Sequence, residues 1–194
     1  MQPFRVHAGR AVVLDRADVD TDQIVPAEHL KRVERTGFGP FLFAEWRKDP
    51  DFVLNRPETE GATILLTGAN FGSGSSREHA VWALEDAGFR AVVAPSFADI
   101  FRNNCTKVGV LPVALPADVV RRLMDAVEAD PATELVIDLE TRTVTGPGVR
   151  AGFEIDGFTR MRLLEGLDDI GLTLRHEASI ASYESTRQAW LPTV

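Results

Sequence analysis

The chain has 194 residues, with 21 Lys and Arg against 29 Asp and Glu, a formal net charge of −8 and a hydrophobic share of 44%. That balance excludes the basic stripe of a nucleic-acid or anionic-membrane surface, and no apolar run is long enough to cross a bilayer. The length suits one domain, 1–194, around one core; Met1-Gln-Pro-Phe-Arg5 has no apolar leader pattern, so a cytoplasmic protein is expected.

In chain order, Arg10-Ala-Val-Val-Leu14 reads as a strand, and Asp15 to Thr21 as a polar turn. Ile24-Val25-Pro26 is expected to be extended, because a residue before proline is pushed out of the α region. Glu28 to Arg35 is expected to be helical and stopped by Gly37-Phe-Gly-Pro40, and Asp49 to Thr59, with two prolines, to be loop. Thr63-Ile-Leu-Leu-Thr67 is a strand, and Ala80 to Gly88 a helix. Arg90-Ala-Val-Val-Ala94 is a second strand, followed by a helix through Phe97-Ala-Asp-Ile-Phe-Arg102. Ser96 would be its N-cap and Asn103 or Asn104 its C-cap. Pro112-Val-Ala-Leu115 is a third strand. Asp118 to Ala129 is an amphipathic helix with Val119, Val120, Leu123, Met124 and Val127 on one face. Leu135 to Leu139, a Gly146-Pro147-Gly148 turn and Gly152 to Ile155 suggest antiparallel strands, with helices at Met161 to Leu164 and Glu177 to Tyr183. The fold class that follows is α/β, with a partly parallel sheet and β-α-β crossovers.

The chemistry concentrates in Gly68-Ala-Asn-Phe-Gly-Ser-Gly-Ser-Ser-Arg-Glu-His79, between a strand and a helix. Gly72 and Gly74 permit positive φ and a close backbone approach to a ligand. The N–H groups at the start of the following helix favour an anion, and Arg77 offers a planar fork for a carboxylate. The stretch lacks the lysine ending of a P-loop, and Gly72-Ser-Gly-Ser75 is not a hydrolase elbow. A tight turn capped by Ser75 or Ser76 is the bland alternative. Asp20-Thr-Asp22 places two carboxylates on one side of an extended segment, or else forms a hydrogen-bonded turn. His29 and His176 stand isolated, and Arg35-Thr-Gly-Phe38 is either an anion contact or a solvated turn. Phe41, Phe43 and Trp46 are expected in the core. A lone Cys105 excludes an internal disulfide and cannot hold a zinc or iron–sulfur centre, which needs several ligands. It is expected to be a buried apolar group near a helix end.

Asn70-Phe-Gly-Ser-Gly-Ser-Ser-Arg-Glu-His-Ala80, Pro95-Ser-Phe-Ala-Asp-Ile-Phe101 and Val19-Asp-Thr-Asp-Gln-Ile-Val-Pro26 together resemble the small subunits of 3-isopropylmalate dehydratase, in the aconitase superfamily. Arg35 to Gly39, Asp51 to Asn55 and Gly166 to Leu174 extend the resemblance over nearly the whole chain. It implies a swivelling β/β/α domain with half-barrel character. It also implies a hydro-lyase that acts only with a separate large subunit, which bears a [4Fe–4S] cluster, this chain binding no cofactor itself. The implied reaction converts 2-isopropylmalate to 3-isopropylmalate through 2-isopropylmaleate in leucine biosynthesis. A citraconate/2-methylmalate or homoaconitate dehydratase is the alternative.

By the same resemblance Ser75 is the base that removes a proton, and Gly74, Ser76 and Arg77 stabilise its alkoxide. Arg77 also grips a substrate carboxylate, and Glu78 and His79 orient the loop. The Asp20-Thr21-Asp22 segment and the following Pro26 to Arg35 loop lie near the substrate, and Leu30 and Val33 form an apolar wall for the isopropyl group. Two positions depart from the family pattern: Ser73 stands where many members have cysteine, and His29 where an apolar residue is common. Outside the family, Ser75 with His79 or His176 as a serine hydrolase, or a non-catalytic small-acid sensor, compete.

Overall fold

A computed structural model describes residues 1–31, 34–187 and 190. Seven strands form one sheet in the order β4-β3-β2-β1-β5-β6-β7. The strands are β1 (Val6–Leu14), β2 (Ile64–Thr67), β3 (Ala91–Ala94), β4 (Leu111–Ala114), β5 (Glu134–Asp138), β6 (Thr143–Gly146) and β7 (Val149–Gly152). β1 is the hinge of the design. Its second half, Ala11 to Leu14, pairs parallel with β2, and its first half, Val6 to Arg10, pairs antiparallel with β5. The sheet therefore continues as a parallel block on one side and an antiparallel meander on the other, and it curls into a half-barrel.

The parallel strands are covered on both faces, which is why they read as unbroken apolar runs rather than alternating ones. Ile64, Leu66, Ala91 and Val93 point into one core cluster, and Leu65, Val92 and Ala94 into a second on the opposite face. The helices are α1 (Thr21–Ile24), α2 (His79–Asp86), α3 (Asp99–Val108), α4 (Ala117–Ala129), α5 (Gly157–Glu165), α6 (Asp169–Leu174) and α7 (Glu177–Thr186). α4 buries Val119, Val120, Leu123, Met124 and Val127, the five residues its spacing picked out. Phe43 is fully buried, with Trp46 stacked on it at 5.3 Å.

Several boundaries differ from expectation, each for a local reason. α3 starts at Asp99 rather than after Ser96, because Phe97 is held in an isolated parallel bridge with Phe71. Asn103 and Asn104 lie inside α3, which ends instead at Gly109, φ 103°, in the left-handed conformation a C-terminal glycine favours. Ile24 closes the one-turn helix α1, so the extended stretch begins at Val25. The helix expected from Glu28 is a short 3-10 turn, Ala27–Lys31. Residues 153–156 are irregular rather than a strand, and the hairpin partner of β7 is β6. α6 opens on Asp168, whose carboxylate accepts from Gly171 N, an N-cap that the expected elements left out.

Candidate active site

The Gly68–His79 turn leaves the carboxyl end of β2. Two other segments, after β1 and after β3, meet it at the same edge because those strands run parallel to β2. From the β1 side, the Asp18 and Gly72 backbone N–H groups donate to Ala69 and Val19 carbonyls at 2.9 and 2.8 Å. Asn70 Nδ2 donates to Asp18 Oδ1 at 2.8 Å. From the β3 side, Phe71 N donates to Ser96 O at 3.2 Å, and Asn70 N to Ser96 Oγ at 2.9 Å. Ser96 is thus occupied as a loop anchor, which is why it does not cap α3. The turn needs left-handed backbone at Asn70, Gly72 and Gly74, with φ of 56°, 77° and 88°. At Gly72 a Cβ would overlap the Phe101 ring.

This stitching presents Gly74, Ser75 and Ser76 to solvent. Among the described residues, neither serine hydroxyl has a hydrogen-bond partner, and the N–H groups of Gly74, Ser75 and Ser76 bond to no carbonyl. Three successive open N–H groups make a concavity suited to an anion. The open N–H donors therefore belong to the turn and not to the first turn of α2. α2 begins four residues past Ser75, at His79, and its N-cap Glu78 makes no side-chain capping bond, so neither serine caps it. Arg77 is mostly buried, its side chain 21% exposed, and its Nη1 is ion-paired with Asp22.

Asp20 and Thr21 lie against the same turn, but their polar groups are taken up by hydrogen bonds within this chain. Asp20 Oδ1 accepts from Gln23 N at 2.8 Å, and Gln23 Oε1 accepts from Asp20 N at 2.9 Å, a reciprocal cap on α1. Thr21 is 1% exposed; its N–H donates to Ser73 O at 2.9 Å and its hydroxyl to Ser75 O at 3.1 Å. Leu30 sits on the 3-10 turn, partly buried against the core cluster that contains Phe38 and Phe71. Val33 lies outside the described residues. Of the residues singled out, the structure therefore gathers Asp20, Thr21, Gly74, Ser75, Ser76 and Arg77. The sequence grouped Asp22 with Asp20 as a carboxylate pair; in the structure the two part, Asp20 capping α1 and Asp22 pairing with Arg77.

His79 lies between Phe38 and Trp82, at 5.2 and 4.6 Å between ring centroids. Its buried Nδ1 has no hydrogen-bond partner among the described residues. Burial holds this imidazole below its ordinary value of 6.5; Glu78 opposes that shift and Arg77 adds to it. No hydrogen bond joins Ser75 to His79 or His176 among the described residues, so the geometry forms no serine–histidine dyad. His29 stacks on Phe41 at 4.1 Å and pairs with Glu28 at 3.4 Å.

The model of the aconitase C-terminal domain matches residues 1–118, and a LeuD_N model matches residues 121–157. The model of the C-terminal domain of the 3-isopropylmalate dehydratase small subunit matches residues 169–194. The 3-isopropylmalate dehydratase small subunit of Rubrobacter xylanophilus is 64% identical over 194 residues, all of both chains. The chain belongs to the family of 3-isopropylmalate dehydratase small subunits. The member from a Parafrankia species is 65% identical over 193 residues, covering 100% of this chain and 99% of that one. A solved 3-isopropylmalate dehydratase structure from Methanocaldococcus jannaschii superposes with a TM-score of 0.68 at 29% identity, covering 92% of this chain and 99% of that one. The family's dehydratase chemistry frames one further test of fit. Cys105 is fully buried, with its thiol pushed well up by burial. Among the described residues no group of three His, Cys, Asp or Glu could hold a metal ion. The donors of this small subunit do not fit an iron–sulfur cluster.

Proposed function

We propose that the chain is the small subunit of a 3-isopropylmalate dehydratase, a hydro-lyase of leucine biosynthesis. It would convert 2-isopropylmalate to 3-isopropylmalate by loss and re-addition of water, and would turn over only with a large subunit that brings the [4Fe–4S] cluster. The observation that carries this reading is the exposed Gly74-Ser75-Ser76 turn beside a mostly buried Arg77, at the edge where three parallel strands end. A site open to solvent on one side and rigid on the other suits completion by a docked chain. The free, buried Cys105 is compatible with a reducing cytoplasm.

In this reading Ser75 Oγ accepts the proton from substrate carbon in the dehydration half and returns it in the rehydration half. A serine hydroxyl is a weak acid, so its alkoxide form needs donors aimed at the oxygen. The open N–H groups of the turn and the Arg77 guanidinium are the available ones. Arg77 also holds a substrate carboxylate through the donors that Asp22 leaves free. Asp20 and Thr21 act by shaping the turn, and Gly74 and Ser76 by lining it. Leu30 would contribute to an apolar wall against the isopropyl group. A fit of methyl size is worth about 1–3 kcal/mol, so side-chain selectivity is modest.

The test is anaerobic co-purification with the large subunit, followed by hydration assays on 2-isopropylmaleate, citraconate and homoaconitate. Turnover of isopropylmaleate with the highest kcat/KM, and none by the lone chain, is expected. Activity of the lone chain, or a higher kcat/KM on one of the other acids, overturns the assignment.

A further inference from the structure

We propose that Asp22 is a positioning residue that sets the plane of the Arg77 guanidinium for the substrate carboxylate; this rests on the function proposed above. A ring of contacts closes at the site. Arg77 Nη1 pairs with Asp22. Asp22 follows Thr21, whose hydroxyl donates to Ser75 O at 3.1 Å. The same carbonyl accepts from Arg77 N at 2.8 Å. The arginine is therefore tied to the serine turn at both ends, through its own backbone and through α1.

α1 gives that ring its stiffness. A helix of only four residues does not hold itself together, yet this one is capped reciprocally by Asp20 and Gln23 and bonded to Ser73 O through Thr21 N. Asp22 is the residue on that turn that points at Arg77, and its side chain is 55% exposed. A guanidinium is planar and rigid, so anchoring Nη1 while the side chain is tethered at its own backbone narrows the orientations open to the other donors. The remaining donors then meet a carboxylate already oriented. Water screens the Asp22 charge, so its repulsion toward an incoming acid is weak, whereas the ordering of a long side chain would otherwise be repeated at every binding event. If Asp22 acted instead as a mere stand-in for substrate, its removal would tighten binding.

Two measurements on Asp22→Ala and Asp22→Asn test this. In the reconstituted two-subunit enzyme, KM for isopropylmalate is expected to rise roughly 3- to 10-fold in Asp22→Ala, with kcat changed less than about twofold. Asp22→Asn, which keeps an acceptor of the same shape, is expected to recover most of the loss. In the isolated small subunit, nitrogen-15 NMR is expected to show a restrained Arg77 guanidinium signal that Asp22→Ala abolishes. An unchanged or lower KM, or an Arg77 signal as mobile in the native chain as in Asp22→Ala, overturns the proposal. The NMR arm needs no turnover, so it still decides if Asp22→Ala fails to assemble. A native pair that ignores isopropylmalate refutes the function instead, and leaves the ring to stand or fall on the NMR result.

Discussion

Single atoms decide what the site can do. Ser75 offers a hydroxyl with no partner among the described residues, so replacing it removes chemistry without removing support. We expect Ser75→Ala to assemble normally with its partner and to lose at least ~100-fold in turnover, the scale of a positioned proton-transfer group. A near-normal rate in steady-state assays would show that another group is the base. Gly72 is the opposite case. It carries φ 77°, and the space a Cβ would need is filled by the Phe101 ring, which packs edge-on against Phe71 at 5.3 Å. Strain from the positive φ adds to overpacking, so Gly72→Ala is expected to lose about 2–4 kcal/mol of stability, read from urea denaturation midpoints. An unchanged midpoint would mean that the turn reaches this shape by another route.

Elements show how far sequence reading carries and where it stops. α4 was fully legible because nothing competes with its pattern: five apolar residues at helical spacing meet one core cluster. The parallel strands were legible as apolar runs for the same reason. The start of α3 was not, because Ser96 looks like a helix cap locally and acts as a clamp for residue 70 in three dimensions. Its end is encoded by Gly109 after a basic last turn, whereas the paired asparagines, equally tolerant of the left-handed conformation, lie inside the helix. The same limit applies within the site. Ser75 and Arg77 stand out by residue type, but the tie from Arg77 to Asp22 spans 55 residues, and no local pattern encodes it. The clamp itself is testable. We expect Ser96→Ala to speed amide exchange at Asn70 and to cost about 1 kcal/mol, the usual net value of one hydrogen bond. If Asn70 exchange is unaffected in Ser96→Ala, its amide is protected by something else.

At the scale of the whole molecule, two histidines and three aspartates shape the response to acid. Burial holds His7 and His79 below their ordinary value of 6.5, with Arg90 adding to the shift at His7. An unfolded chain binds these protons more readily than the native one, so their contribution is complete above 6.5 and fades as pH falls from there toward the lowered native values. Asp138, Asp156 and Asp168 are held below 3.8, each chiefly by hydrogen bonds from the loop or helix start that follows it. Their contribution is present above 3.8 and is lost only below it. Urea midpoints are therefore expected to fall in two stages, the first as pH drops below 6.5 and the second as it drops below 3.8. A flat profile through the first window would place both imidazoles in water. The meeting of three segments after β1, β2 and β3 also has a bearing on biosynthesis. On a translating ribosome, the Asp18–Asp22 stretch must wait, unclamped, until Arg77 has cleared the exit tunnel, and the turn that clamps it lacks its own second anchor until Phe97 follows. The turn can be completed only after more than half of the polypeptide has been made.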